Sequence, residues 1–183
     1  MGQLPVHSKG DGASAWIARF ASTTKPGGAV LDLACGGGRH GRLFLENRHP
    51  VCFLDINLGG VADLAGQPGT ELVQADLEGG APWPLPGRRF AAIVVTNYLW
   101  RPLFPAIFGA LESGGLEPGG LLLYETFMRG NERFGKPSNP DFLLAEDELL
   151  DLCRPHCQVI AFEQGEEAAP KPAMRQRIAA RHK

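Results

Sequence analysis

Residues 32–41, Asp-Leu-Ala-Cys-Gly-Gly-Gly-Arg-His-Gly, put a carboxylate, a thiol, a guanidinium and an imidazole around four glycines. Glycines let a chain turn tightly and bring bare peptide N–H groups against a ligand, and a helix starting just beyond them offers further unpaired N–H groups. Gly36, Gly38 and Gly41 match the G-x-G-x-x-G spacing of dinucleotide-binding turns, and Asp55 follows about 20 residues later, where such folds place an acceptor for ribose hydroxyls. Two further acids alter that reading. Asp32 stands ahead of the glycines, where a carboxylate disfavours a pyrophosphate and favours a cationic amine. Asp76, in the run 74–78 (QADLE), can accept from an adenine amino group while the Leu77 N–H donates to the ring. Singly, each aspartate is an ordinary cap or turn residue, and the glycines alone are an ordinary turn. Three carboxylates at the mouths of three successive strands point instead to a nucleoside whose far end is cationic.

The elements that must position these residues alternate strand and helix. Residues 29–33, 51–55, 71–74, 90–96 and 121–126 are short apolar runs of the kind that form buried parallel strands. Helices are expected at 14–21, from 42 to 47, weakly at 58–65, at 103–111 and at 145–153, with a loop over 79–89, where prolines and glycines deny ladder bonds. Residues 127–141 read as a long irregular loop able to close over a site. Residues 159–163 and 174–181 read as a terminal hairpin, with the basic end 175–183 an edge strand having a solvated face. The fold class is therefore α/β, a doubly wound, mostly parallel seven-stranded sheet forming a single domain over 1–183, with ligands beyond the carboxyl ends of its strands.

Composition narrows the partners. A net charge of −2 gives no electrostatic case for nucleic acid or an anionic membrane. No apolar stretch approaches the roughly 18 residues that span a bilayer, and residues 1–10 lack a signal-peptide pattern, so the cytoplasm is expected. Cys153, His156 and Cys157 lie close together, but no second ligand pair follows at zinc spacing; they read as a helix end and a buried strand start, and no metal is expected.

The runs 30–41 (VLDLACGGGRHG), 53–57 (FLDIN), 74–78 (QADLE) and 90–99 (FAAIVVTNYL) resemble, in order, the motifs of class I S-adenosylmethionine (SAM)-dependent methyltransferases. The segment 124–144 resembles small bacterial members of the tellurite-resistance-like and thiopurine-like kind. The resemblance implies a Rossmann-like fold closed by an antiparallel C-terminal hairpin, SAM as cofactor, S-adenosylhomocysteine as product, and cofactor contacts from Asp32, Ala34, Gly36, Gly38, Arg39, His40, Asp55, Ile56, Asp76, Leu77 and Asn97. Cys35 inside the glycine motif, and a proline-rich loop in place of a helix after the third strand, depart from the pattern.

Methyl transfer from a sulfonium is an in-line displacement, so alignment and water exclusion supply most of the rate, and a base is needed only where the acceptor must lose a proton. Cys35 then reads as packing. Acceptor-side candidates are Tyr98, Trp100, Arg101, Glu125 and Arg129, with Glu132 and Arg133 on the loop; His40 is a further candidate base, expected to be exposed. Asn97 is placed to meet the SAM amine or sulfonium through its carbonyl or its side chain. It lacks the following proline that marks methylation of base amino groups, which favours a small-molecule acceptor. An NAD(P)-linked oxidoreductase and a non-catalytic SAM-binding module are the alternatives, and the oligomeric state is left open.

Overall fold

A computed structural model describes residues 12–115, 118–169 and 171–183; the reading of residues 1–10 lies outside them. Strands β1 (Val30–Leu33), β2 (Val51–Asp55), β3 (Thr70–Gln74), β4 (Ala92–Thr96) and β5 (Leu121–Phe127) run parallel, and β6 (Cys157–Glu167) and β7 (Ala173–His182) close the sheet antiparallel, in the order β3-β2-β1-β4-β5-β7-β6. The order reverses between β1 and β4, which makes their carboxyl ends the switch point where such sheets bind ligands. β1, and all but the last residue of β2 and β4, are buried, because helices cover both faces of the sheet.

The two-residue period of a strand decides which face each functional residue meets. Val30, Val51, Phe53, Val94, Leu121 and Leu123 pack with helices α1 (Ala15–Ala21) and α2 (Arg39–Glu46). Leu31, Leu33, Ile93, Val95, Leu122 and Tyr124 pack with α3 (Phe104–Ala110) and α4 (Glu148–Cys153). Asp32, Asp55, Thr96 and Glu125 share the parity of the first set, so all four project to the side of α1 and α2.

Several boundaries differ from the sequence reading. α2 begins at Arg39, directly on the glycine turn. Residues Leu58–Leu64 form a 3-10 turn run, since Gly59 and Gly60 weaken an α-helix there. A 3-10 turn, Arg101–Leu103, precedes α3. β7 is not an edge: it lies between β5 and β6, with Ile178, Ala179 and Ala180 fully buried, and the outer position falls to β6. Cys153 ends α4 and Cys157 opens β6, both buried, and no group of metal-binding side chains occurs among the described residues. No helix of the described residues is long and apolar enough to cross a membrane.

Candidate functional site

The glycine turn leaves β1 through Ala34, Gly36 and Gly38, with φ of 52°, 53° and 69°. Its glycines divide by task. A Cβ on Gly36 or Gly37 would meet nothing within 4 Å, so these two present bare backbone to open space. A Cβ on Gly38 would lie 2.5 Å from Val61, and one on Gly41 2.2 Å from the buried ring of Phe53, so these two let α2 pack against the sheet.

Asp32 is buried, and its carboxylate accepts from the Gly41 N–H at 2.8 Å. Burial pushes its pKa up to about 7, with Asp55 adding to the rise and the Gly41 N–H and Arg39 opposing it. In the unfolded chain this group ionises near 3.8, so between about pH 4 and 7 the folded state keeps a proton the unfolded state has lost, and stability falls as pH rises through that window. Buried His40 acts in the opposite sense: desolvation lowers it from 6.5 to about 4, so its contribution is lost as pH falls through that range. Asp32→Asn removes the first slope alone. Urea denaturation at about pH 4.5 and 7.5 should show the variant gaining on the parent chiefly at the higher pH; an equal difference at both would contradict the buried, half-protonated carboxyl.

Asp55 binds the turn directly. One carboxylate oxygen accepts from the Gly36 N–H at 2.8 Å and the other from the Asn57 N–H at 2.9 Å. Beside it Ile56 is 61% exposed, an apolar side chain standing at the mouth of the sheet. Asp76 accepts from the N–H groups of Glu78 and Gly79 through one oxygen, with half-buried Leu77 next to it. The hydroxyl of Tyr98 is buried, with the Glu78 carboxylate beside it. Burial first, then the charges of Glu78, Asp76 and Asp55, raise its pKa, so it holds its proton. Asp55 thus acts on Asp32, and Asp55 and Asp76 both act on the Tyr98 hydroxyl.

The acceptor-side candidates divide differently. Trp100 is half-buried and, like Tyr98, packs on the α3–α4 core. The Arg101 guanidinium makes two bonds to Glu148, at 2.6 and 3.0 Å, and donates to the carbonyls of Asp141 and Leu143. It ties down the end of the 127–141 loop. Glu125 is buried as well, within 3.2 Å of Arg177 and accepting from Ser14, the N-cap of α1. It is an internal ion partner in this structure. Arg129 is exposed, and its charge helps lower the pKa of Glu148. His40 is buried, not exposed, with Nδ1 3.1 Å from the Thr96 hydroxyl; it is neutral and too weak a base at neutral pH. Cys35 is buried and pushed up to about 12, a packing thiol.

The long loop is tied down rather than free to close. Buried Asn131 donates to Pro137 O and accepts from Met174 N–H, Arg133 meets Glu166 at 3.1 Å, and two 3-10 turns, Asn131–Arg133 and Pro140–Phe142, lie within it. Asn97, exposed at the end of β4 with φ 54°, accepts from Arg175 through its side chain at 2.7 Å. Arg175 and Arg177 are the residues the sequence reading missed. Their signal was the antiparallel register that sets Glu163 opposite Arg177. A cavity of about 250 Å³ between Pro50, Gly69 and Arg88 opens at the amino ends of the strands, opposite this site.

No protein-family model matches the chain, and no curated protein matches it in sequence. Among solved structures it is similar to TehB from Haemophilus influenzae, with 18% identity and a TM-score of 0.72, over 91% of this chain and 61% of that one. It therefore spans under two thirds of that protein. It is similar to the Burkholderia thailandensis 1,6-didemethyltoxoflavin-N1-methyltransferase, solved with S-adenosylhomocysteine, at 19% identity and TM-score 0.64, over 92% and 78% of the two chains. The glycopeptide N-methyltransferase MtfA shares 25% identity at TM-score 0.57, over 89% and 88%. With its β1–β4 switch point and antiparallel β5-β7-β6 closure, the chain has the Rossmann-like fold of the SAM-dependent methyltransferases.

Proposed function

We propose that the protein binds SAM across the carboxyl ends of β3, β2, β1 and β4 and transfers its methyl group to a small-molecule acceptor. The observation that carries this reading is Asp55, tied to the exposed Gly36 amide and flanked by the exposed Ile56: a carboxylate for ribose hydroxyls beside bare backbone and an apolar platform for a base. Each oxygen of Asp55 keeps a lone pair beyond its backbone bond. The acidic set fits SAM better than a dinucleotide, because Asp32, Asp55, Asp76 and Glu78 disfavour a pyrophosphate and suit a sulfonium and an ammonium.

SAM when bound supplies a methyl carbon already activated for displacement. The residues of this chain bind and align: Asp55 and Ile56 hold the ribose and adenine side, with the Leu77 N–H and Asp76 at the ring edge. Gly36 to Gly38 receive the amino-acid arm against Arg39. Tyr98 and Trp100 wall the acceptor side and keep water out, and the protonated Tyr98 hydroxyl acts there as a donor. With Tyr98 protonated and His40 a weak buried base, the reading favours acceptors that need no strong base from the protein. Net charge −2 favours a small molecule over nucleic acid, and the soluble fold suits a cytoplasmic enzyme.

Isothermal titration with S-adenosylhomocysteine, NAD and NADP separates the readings. Micromolar or tighter S-adenosylhomocysteine binding with no dinucleotide response supports the methyltransferase; dinucleotide binding alone overturns it. Release of S-adenosylhomocysteine from SAM is then followed with a panel of thiols, phenols, amines and oxyanions. Binding without turnover across the panel favours a non-catalytic SAM-binding module.

A further inference from the structure

Arg175 is a largely buried guanidinium that meets Asn97. Its side chain is 17% exposed. It starts on β7 opposite Phe127 of β5, lies 4.2 Å over that ring, and crosses the end of β5 to reach β4. Nη1 donates to Asn97 Oδ1 at 2.7 Å, Nε stands 3.0 Å from Glu167, and Nη1 is 3.9 Å from Glu125. Desolvation lowers its pKa, and the two glutamates offset that.

The bond to Asn97 fixes more than a position. A guanidinium carries donors only, so the amide atom facing it must be the oxygen. The orientation of an asparagine amide, ordinarily ambiguous, is thereby set. Asn97 Oδ1 is occupied, and no described residue takes the hydrogens of Nδ2. Asn97 is exposed at the end of β4, and a positive φ of 54° holds its backbone out of the strand. With Oδ1 held on Arg175, the side chain turns its N–H groups to the site as donors.

We infer that Arg175 is a positioning residue: it turns the Asn97 amide so that its N–H groups receive the carboxylate of the ligand's amino-acid arm. The inference rests on the reading that a SAM-type ligand lies across the strand ends. With ribose and adenine over β2 and β3, the arm reaches the β1–β4 switch point, where Asn97 stands. Arg39 stands near enough for its charge to act on Arg175.

Two ligands that differ only in the arm test this. S-adenosylhomocysteine carries it; methylthioadenosine lacks it. Arg175→Met keeps a long side chain over Phe127 but removes every donor, and Arg177, at 3.2 Å from Glu125 and 2.6 Å from Glu167, still pairs with both carboxylates. Calorimetric titration should show S-adenosylhomocysteine weakened about tenfold, the loss of one or two hydrogen bonds, with methylthioadenosine changed by less than about twofold. Arg175→Lys should restore part of the difference. Asn97→Asp, which keeps an oxygen for Arg175 but turns a second oxygen to the site, should show the same selectivity more strongly. Arg177→Met, which alters the same ion cluster without touching Asn97, should not discriminate between the ligands. Equal weakening of both ligands by Arg175→Met and Asn97→Asp, or no change in either, overturns the role. Failure of the parent protein to bind either ligand overturns instead the SAM-binding reading beneath it.

Discussion

Asp55→Ala is expected to weaken S-adenosylhomocysteine binding by about 1–3 kcal/mol, roughly five- to 150-fold, because charge-assisted bonds to the ribose are lost. Asp55 has a second role that makes its loss larger than one ligand contact. Its two oxygens hold the Gly36 and Asn57 N–H groups, so its removal also releases the turn that presents bare backbone to the ligand. Asp55→Asn separates the two effects: one oxygen remains for a single amide, and the charge goes. Its binding loss should fall between parent and alanine variant. Titration calorimetry reads the affinity, and urea denaturation reads the loop's share as a stability change. Unchanged affinity in the alanine variant would remove Asp55 from the ligand site.

Gly41→Ala should produce the largest stability loss of any single methyl added to the motif. The new Cβ would lie 2.2 Å from Phe53 Cε1, 2.7 Å from its Cζ and 2.9 Å from Asp32 Oδ2. Phe53 is fully buried and has no space to yield into, so α2 must move off the sheet at a cost of about 1–3 kcal/mol or more. The shift would also stretch the Gly41–Asp32 bond. Gly37→Ala is the opposite case. Its Cβ meets nothing and its φ is not in the left-handed region, so stability should change by less than about 1 kcal/mol, while a methyl group now stands on the face proposed to meet the ligand. One variant should fold poorly; the other should fold normally and bind poorly. Reversed outcomes in denaturation and titration would contradict the division of the glycines into packing and ligand-facing positions.

The parts of the fold legible in the sequence were those with a local signature. β1, β2 and β4 are mostly apolar runs because both faces of the sheet are covered, and β2 and β4 end at a polar residue where cover thins. Asp32 and Asp55 were therefore readable as groups near strand mouths. Their partners were not, because Gly41 and Gly36 are brought to them by the turn itself. Arg101 and Glu125 show a sharper limit. Their types and their places after β4 and in β5 suit a substrate-facing charge, yet each is neutralised by a residue some 50 positions away, Glu148 and Arg177 respectively. Nothing within a few residues of either announces that pairing. The alternation in 175–181 looked like an exposed edge for a related reason: the charges on Arg175 and Arg177 are met across the sheet by Glu163, Glu167 and Glu125, which makes an inner strand read as a solvated one. His40 was misplaced because a helix start is ordinarily open to water, and here α2 begins directly on a turn packed beneath β4, with Thr96 beside the ring.

The most direct measurement is a crystal structure with S-adenosylhomocysteine bound. The account places the ribose hydroxyls about 3 Å from the Asp55 carboxylate, the adenine beside Ile56 with its edge at the Leu77 N–H, and the amino-acid arm between Gly36 and Asn97. A nucleoside seated elsewhere, such as the cavity by Arg88 at the strand starts, with Asp55 still bonded only to Gly36 and Asn57, would contradict it.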